Sequence, residues 1–278
     1  MRWGVALCAL CVAVAMLARG ATAQDADEDD DDPPAATSKP SFWASLLEPE
    51  EPSRPPFDFL TGGMPDRMLY FSGVEMQRWS LAAYAGAQWA PARIDRDGFI
   101  LRMVMSDSIE RYTTRTRRYD TDILRVAIMP GYKFSRGKVE MQVFAGLGIE
   151  GDLLLVDRRA NRLRGKFGPR LGADLWWEPT RLLMLQYSIS GTTIDNAISM
   201  RAAAGWRLFD RFWVGPEVTA SGDDFSRQYR VGAHLTGLRS DEYEWSVAAG
   251  QVWDSYRREG VYGRISVVVR PARLLHLD

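Results

Sequence analysis

The chain has 278 residues, 46% of them hydrophobic and 26% charged, with a formal net charge of −1. Its two cysteines, Cys8 and Cys11, both fall in an N-terminal apolar stretch, which excludes a disulfide framework and a cysteine metal centre from the rest of the chain. No later segment is apolar for long enough to form a transmembrane helix. The carboxylates are scattered without metal-ligand spacing, nothing points to a cofactor, and the basic stretch at 161–165 reads as loop charge rather than a nucleic-acid site.

Arg2, the apolar run from Val5 to Leu17 and the small-residue site Ala21-Thr22-Ala23 predict a secretory signal peptide over residues 1–23. Residues 24–66 follow as an acidic, proline-rich periplasmic arm, too poor in apolar surface to order itself. Between Gln24 and Leu60, eleven carboxylates (seven from Asp25 to Asp32, then Glu48, Glu50, Glu51 and Asp58) face only Lys39 and Arg54, a balance of −9. Setting this segment and the signal's two arginines aside leaves 25 acidic and 31 basic residues, so the remainder stands at +6, opposite in sign to the arm. Phe42, Trp43, Leu46 and Leu47 make a small apolar patch within the arm. It reads as a sticky spot in a linker or as a docking motif for a periplasmic partner; alternatively the arm is a plug whose acids enter a basic lumen.

The barrel domain is assigned to residues 67–278. Twelve runs of alternating residue type predict strands near 68–77, 79–90, 98–112, 121–134, 137–150, 163–177, 181–191, 196–209, 211–221, 227–238, 242–253 and 260–270. Twelve is even, so an antiparallel barrel closes. Short turns such as 209–211 and 135–137 alternate with longer connections such as 107–121 and 153–163, the short ones expected on the periplasmic side. The first two runs alternate poorly. Pro130 and Pro216 fall inside runs, where proline removes a ladder donor, so bulges or shifted bounds are expected there.

Parity decides the solvent of each face. Ile198, Met200, Ala202, Ala204, Trp206 and Leu208 share one parity; Ser199, Arg201, Ala203, Gly205 and Arg207 share the other. The apolar parity of the clear runs carries no charge. A soluble sandwich puts its charges outside, whereas an outer-membrane barrel turns apolar side chains to lipid and polar ones to the lumen. The alternative, a soluble ligand-binding barrel with an apolar interior, usually closes with about eight strands. Trp79, Trp89, Trp177, Trp206, Phe212, Trp245 and Trp253 lie near run ends, as an interfacial girdle requires. The fold class is therefore an all-β transmembrane antiparallel barrel of about twelve strands in the bacterial outer membrane, with lipid as the partner of its outer face.

By the same parity the lumen holds Arg102, Arg125, Arg170, Arg201, Arg207, Arg230 and Arg264, with Glu140, Asp174, Glu217, Glu244 and His234 as counter-groups. Interleaved arginines and carboxylates pair across a narrow bore and stabilise it. In a second reading the lumen is a polar conduit, in which Trp176, Trp213 and Tyr262 stack on sugar rings while charged groups bind hydroxyls.

The segments YFSGVE (70–75), DRDGF (95–99), FAGLG (144–148), NRLRG (161–165), RLGADLWWEPT (170–180), RAAAGWRLFD (201–210), VGPE (214–217), RQYRVGAHLTGLR (227–239), EWSVAAG (244–250) and YGR (262–264) resemble, in this order, the cellulose-biosynthesis protein BcsS family. The resemblance covers nearly all of 68–270 and leaves out the acidic arm. The ending Pro271 to Asp278 lacks the terminal aromatic common on outer-membrane barrels. The resemblance implies an outer-membrane barrel associated with cellulose synthesis and export, and no catalytic residues.

The expected function is an accessory of cellulose production, either passing the glucan or anchoring periplasmic export components at the outer membrane. The alternatives are a purely structural barrel and a lipid-modifying enzyme. His234 stands two residues before Thr236 on one parity with Glu217 on the preceding strand, so base, nucleophile and orienting acid could assemble. Against that, threonine stands where such lipases carry serine, and His234 points inward. His276 lies in the tail without a partner. The chain is expected not to be an enzyme.

Overall fold

The computed structural model describes residues 65–113, 118–154, 164–240 and 243–271. The expected signal peptide, nearly all of the expected acidic arm with its Phe42–Leu47 patch, most of the 153–163 connection and His276 lie outside the described residues. After a 3-10 turn at Pro65–Arg67 come β1 (Met68–Gln77), β2 (Ser80–Trp89), β3 (Gly98–Thr113), β4 (Arg118–Arg136), β5 (Val139–Leu154), β6 (Arg164–Trp177) and β7 (Leu183–Thr192). A second 3-10 turn, Ile194–Asn196, leads to β8 (Ile198–Leu208), β9 (Phe212–Gly222), β10 (Arg227–Ser240), β11 (Tyr243–Asp254) and β12 (Glu259–Val269).

Each strand pairs antiparallel with its sequence neighbours, and β1 closes the ring on β12 from Tyr70↔Val269 to Gln77↔Tyr262. Closure leaves no unpaired edge, which a lipid environment demands. Twelve strands about 4.8 Å apart and tilted by about 40° enclose a backbone cylinder of roughly 12 Å radius. With an even strand count both termini share one end, here the termini end; the connections after β1, β3, β5, β7, β9 and β11 form the loop end.

Three expectations need correction. The 107–121 connection is mostly strand: β3 and β4 pair out to Thr113↔Arg118. Ile109, Tyr112, Thr113, Tyr119 and Thr121 favour extended backbone, so the hairpin continues where a loop was expected. The prolines cause no bulge. Pairing resumes in register on both sides of Pro130 (Ile128↔Leu147, Gly131↔Phe144) and of Pro216 (Ala203↔Glu217, Trp206↔Val214), so each costs only a gap in one ladder. The observed bulge is at Gly237, where the β10–β11 register shifts and φ is +83°, a backbone conformation that glycine adopts freely. Third, Trp79 is not part of the girdle. It is buried with Ala248, Val252 and Tyr262, beneath the Arg258 guanidinium at 4.8 Å, because the β1–β2 turn folds inward.

The parity rule holds along the wall. Phe167, Leu171, Trp206 and Ile149 are 55–66% exposed on the outer face, while Arg201 and Glu150 turn inward. Near the termini end, exposed or partly exposed Trp89, Phe99, Tyr132, Phe134, Trp177, Trp206, Phe212 and Trp245 ring the barrel at the level of a membrane interface.

Candidate functional site

The lumen is built from inner-parity side chains whose charges meet across strands. On the β2–β6 wall, Arg102 reaches Asp174 at 2.7 Å and donates to Gln142 Oε1 at 3.2 Å, its guanidinium 3.7 Å from the Phe144 ring centroid. Gln88 donates to the same Gln142 oxygen at 2.6 Å, and Gln142 donates to Glu140 at 2.9 Å. Glu140 pairs with Lys133 at 3.0 Å, and Lys133 donates to the Ile94 carbonyl of the β2–β3 loop at 3.1 Å. This relay holds the Arg102 guanidinium through its two terminal nitrogens and the Gln88 and Gln142 amides through their neighbours, while Arg102 Nε is buried without a hydrogen-bond partner.

On the opposite wall Glu217, fully buried, receives Arg201 and Arg264, each at 2.6 Å, and lies 3.4 Å from the Tyr262 hydroxyl. Arg201 also donates to Gln186 at 3.0 Å, and Arg230 pairs with Glu75 at 2.5 Å. Nearer the loop end, Arg125 pairs with Glu150 at 2.7 Å and donates to Ser108 at 3.2 Å. At the termini end Arg207 faces Glu178 at 3.9 Å, and Arg239 and Arg270 face Glu244 at 3.6 and 3.8 Å.

These pairs frame a cavity of about 860 Å³. It runs from rim residues Lys138, Asp210 and Arg211 at the termini end to Arg170, Ser190 and Ser199 at depth. Ser188, Ser190, Ser199, Ser246 and Ser266 give it a hydroxyl lining, and Tyr84, Trp176 and Trp213 add aromatic surface. Toward the loop end the Ile194–Asn196 turn bends into the bore. A Cβ added at Gly168 on the inner face of β6 would lie 2.6 Å from Thr193 Oγ1 and 3.0 Å from Ile194 Cγ1, so only glycine admits the turn there. Lys166 secures the turn through Asp195 at 2.5 Å. The turn is tied to the β9–β10 loop by Asn196 donating to Asp224 at 2.9 Å.

All the sequence-predicted luminal residues lie on the inner face, but they serve different ends. Arg102, Arg125, Arg201, Arg207, Arg230, Arg264, Glu140, Asp174, Glu217 and Glu244 are paired as above. Arg170 lines the cavity and makes no hydrogen bond or ion pair with any described residue. The three expected sugar platforms differ in what they offer the cavity: Trp176 and Trp213 line it and Tyr262 does not. Tyr262 is buried against Trp79 and Val252, and Trp213 is buried with its ring under Arg207 at 4.5 Å and near the Trp176 ring at 6.4 Å. Trp176, half-buried with its indole N–H on Glu178 at 3.0 Å, keeps cavity-facing surface.

The His234 arrangement also differs from expectation. His234 is buried, with Nε2 3.2 Å from the Ala204 carbonyl and Nδ1 3.0 Å from Thr236 Oγ1. A carbonyl only accepts, so the proton belongs on Nε2 and the Thr236 hydroxyl donates to Nδ1. Glu217 does not orient this ring, because two arginines engage it. Among the described residues no cluster of three or more His, Cys, Asp and Glu side chains has metal-site geometry.

Sequence reasoning missed Glu75, Phe71 and Phe144. Glu75 lies in the poorly alternating first run, and the aromatics were hidden by the assumption that apolar residues face lipid. Inward aromatics instead tile guanidiniums, Arg102 lying near both Phe144 and Phe71.

A family model described as Cellulose biosynthesis protein BcsS matches residues 69–271. No curated protein matches the chain. Among solved structures, the KdgM porin in complex with disordered oligogalacturonate is similar at 12% identity and TM-score 0.45, covering 72% of this chain and 98% of that one. LpxR from Salmonella typhimurium is similar at 10% identity and TM-score 0.45, covering 73% and 99%. An outer-membrane channel from Pseudomonas putida F1 is similar at 7% identity and TM-score 0.46, covering 73% and 95%.

Proposed function

The chain belongs to the cellulose biosynthesis protein BcsS family and forms an outer-membrane β-barrel; from that premise we propose that its lumen receives glucan from the periplasmic side during cellulose export. The termini end is taken as periplasmic, because the exported arm joins the barrel there. The observation that carries the reading is the lining of the cavity. Serine hydroxyls, amides and paired arginines offer donors and acceptors to uncharged sugar hydroxyls, beside the indole of Trp176. The arginines that are paired with carboxylates are held in place by them and act as oriented donors.

Binding of cellohexaose to the folded barrel, followed by calorimetry, tests this. Saturable binding weakened at least tenfold by Trp176→Ala supports it, and no heat at millimolar sugar overturns it. A second reading, an anchor for periplasmic export components, is favoured by the ion pairs that span the interior and stiffen the barrel. Either role is taken to proceed without covalent catalysis. That is supported by the burial of His234 and by the engagement of both its ring nitrogens.

A further inference from the structure

Among the described residues, Arg170 is the deepest-lying cavity cation that the pairing scheme leaves over, Lys138 and Arg211 at the rim being the others. It lies at the deep end of the cavity, on the same inner face as Arg102 and Arg125, whose charges are met by Asp174 and Glu150. Among the described cavity-lining residues, nine are cationic and five are carboxylates. A cavity with this surplus favours anions.

We propose that Arg170, with the arginines of the cavity mouth, forms a polycarboxylate-binding site whose ligand is this chain's own acidic segment, Asp25–Asp32. Charge is the first argument: seven carboxylates stand in those eight residues, against a lumen of opposite sign. Attachment is the second. The chain enters the barrel at the rim of this cavity, where Arg67 and Asp66 offer their carbonyls to Ala90 N (3.0 Å) and Ile94 N (2.8 Å) of the β2–β3 loop. The Lys133 ammonium holds that same loop from inside the lumen.

Reach is the third argument. Arg170 stands seven residues from Trp177 at the termini end of β6, a depth of roughly 18 Å at about 3.3 Å per residue and a tilt of about 40°. The 32 residues between Asp32 and Pro65 span about 30 Å as a random coil and about 105 Å when extended. A tether of that length presents its charges at an effective concentration of order millimolar, which a free polyanion would have to exceed. The site does not rest on the glucan reading: it holds whether or not sugar enters the lumen.

The mature chain carries no cysteine, so a cross-link tests the contact directly. Asp30→Cys is combined with Ser190→Cys in the cavity, or with Ser255→Cys at the loop end as control, in the full mature chain inserted in vesicles. The expected result is an intramolecular disulfide at least tenfold faster for the Ser190 pair, slowed at least tenfold by Arg170→Gln or by 1 M salt. Equal rates for the two pairs, or indifference to Arg170→Gln, would overturn the proposal. A second variant leaves the barrel untouched: the other carboxylates of 25–32 are converted to amides, and cross-linking should again slow at least tenfold. In the chain with only Ser190→Cys, oligoglucuronate should protect the thiol from maleimide at lower concentration once the arm is neutralised. Protection at one concentration in both chains would mean that the site serves free polyanions, and would overturn the assignment to the arm.

Discussion

Glu217 on β9 and Arg264 on β12 meet at 2.6 Å although 47 residues separate them, and the same carboxylate holds Arg201 of β8. The contact spans three strand positions of twelve, a quarter of the circumference. The Arg102–Asp174 and Arg230–Glu75 pairs span the same interval. The lumen is thus braced by chords rather than crossed by a diameter, which leaves the cavity between them open.

Removing the shared carboxylate leaves two guanidiniums buried without their anion. Glu217→Gln is expected to destabilise the barrel by about 3–5 kcal/mol, read as a lower urea midpoint in detergent. Arg264→Gln added to Glu217→Gln should cost less than the sum of the single changes, which a double-mutant cycle measures.

Lipid exposure of the outer parity predicts a sided response. Leu171→Lys should cost about 2–4 kcal/mol of barrel stability. Gly172→Ser on the inner face should be near neutral, because a Cβ there meets only ordinary contacts of 3.6 and 3.9 Å. Refolding into bilayers of defined thickness distinguishes the two.

The inward turn at Ile194–Asn196 depends on Gly168. Gly168→Val should expel the turn and expose it, seen as faster proteolysis between residues 193 and 197 with the barrel intact. Unchanged cleavage would contradict the packing of Ile194 against β6.

Trp176 and Trp213 are adjacent but should fail differently. Trp213→Ala, deep under Arg207, should lower stability by about 3–5 kcal/mol. Trp176→Ala should leave stability closer to wild type and weaken sugar binding.

The twelve strands were legible because alternation sustained over ten or more residues fits a strand with two unlike faces and fits no helix, and because the lipid-facing parity tolerates no charge. Parity also placed Arg102, Arg201 and Glu217 in the lumen. It could not pair them: partners such as Gln88 and Gln142, 54 residues apart, meet only because the wall curves between β2 and β5. Nor could it separate an inward aromatic facing the cavity from one packed into the wall, so Trp176 and Tyr262 read alike. The extension of β3 and β4 past the expected loop was hidden because a hairpin outside the membrane need not alternate in hydrophobicity.

The most direct test of glucan reception is single-channel conductance in a planar bilayer, with cellohexaose added to one chamber at a time. It is made on residues 24–278 and on the same chain with the carboxylates from 25 to 32 replaced by amides. Reversible block from the chamber facing the termini end, absent from the other and deepened when the arm is neutralised, is the predicted result. A conductance indifferent to sugar on both sides, with insertion verified, would contradict it.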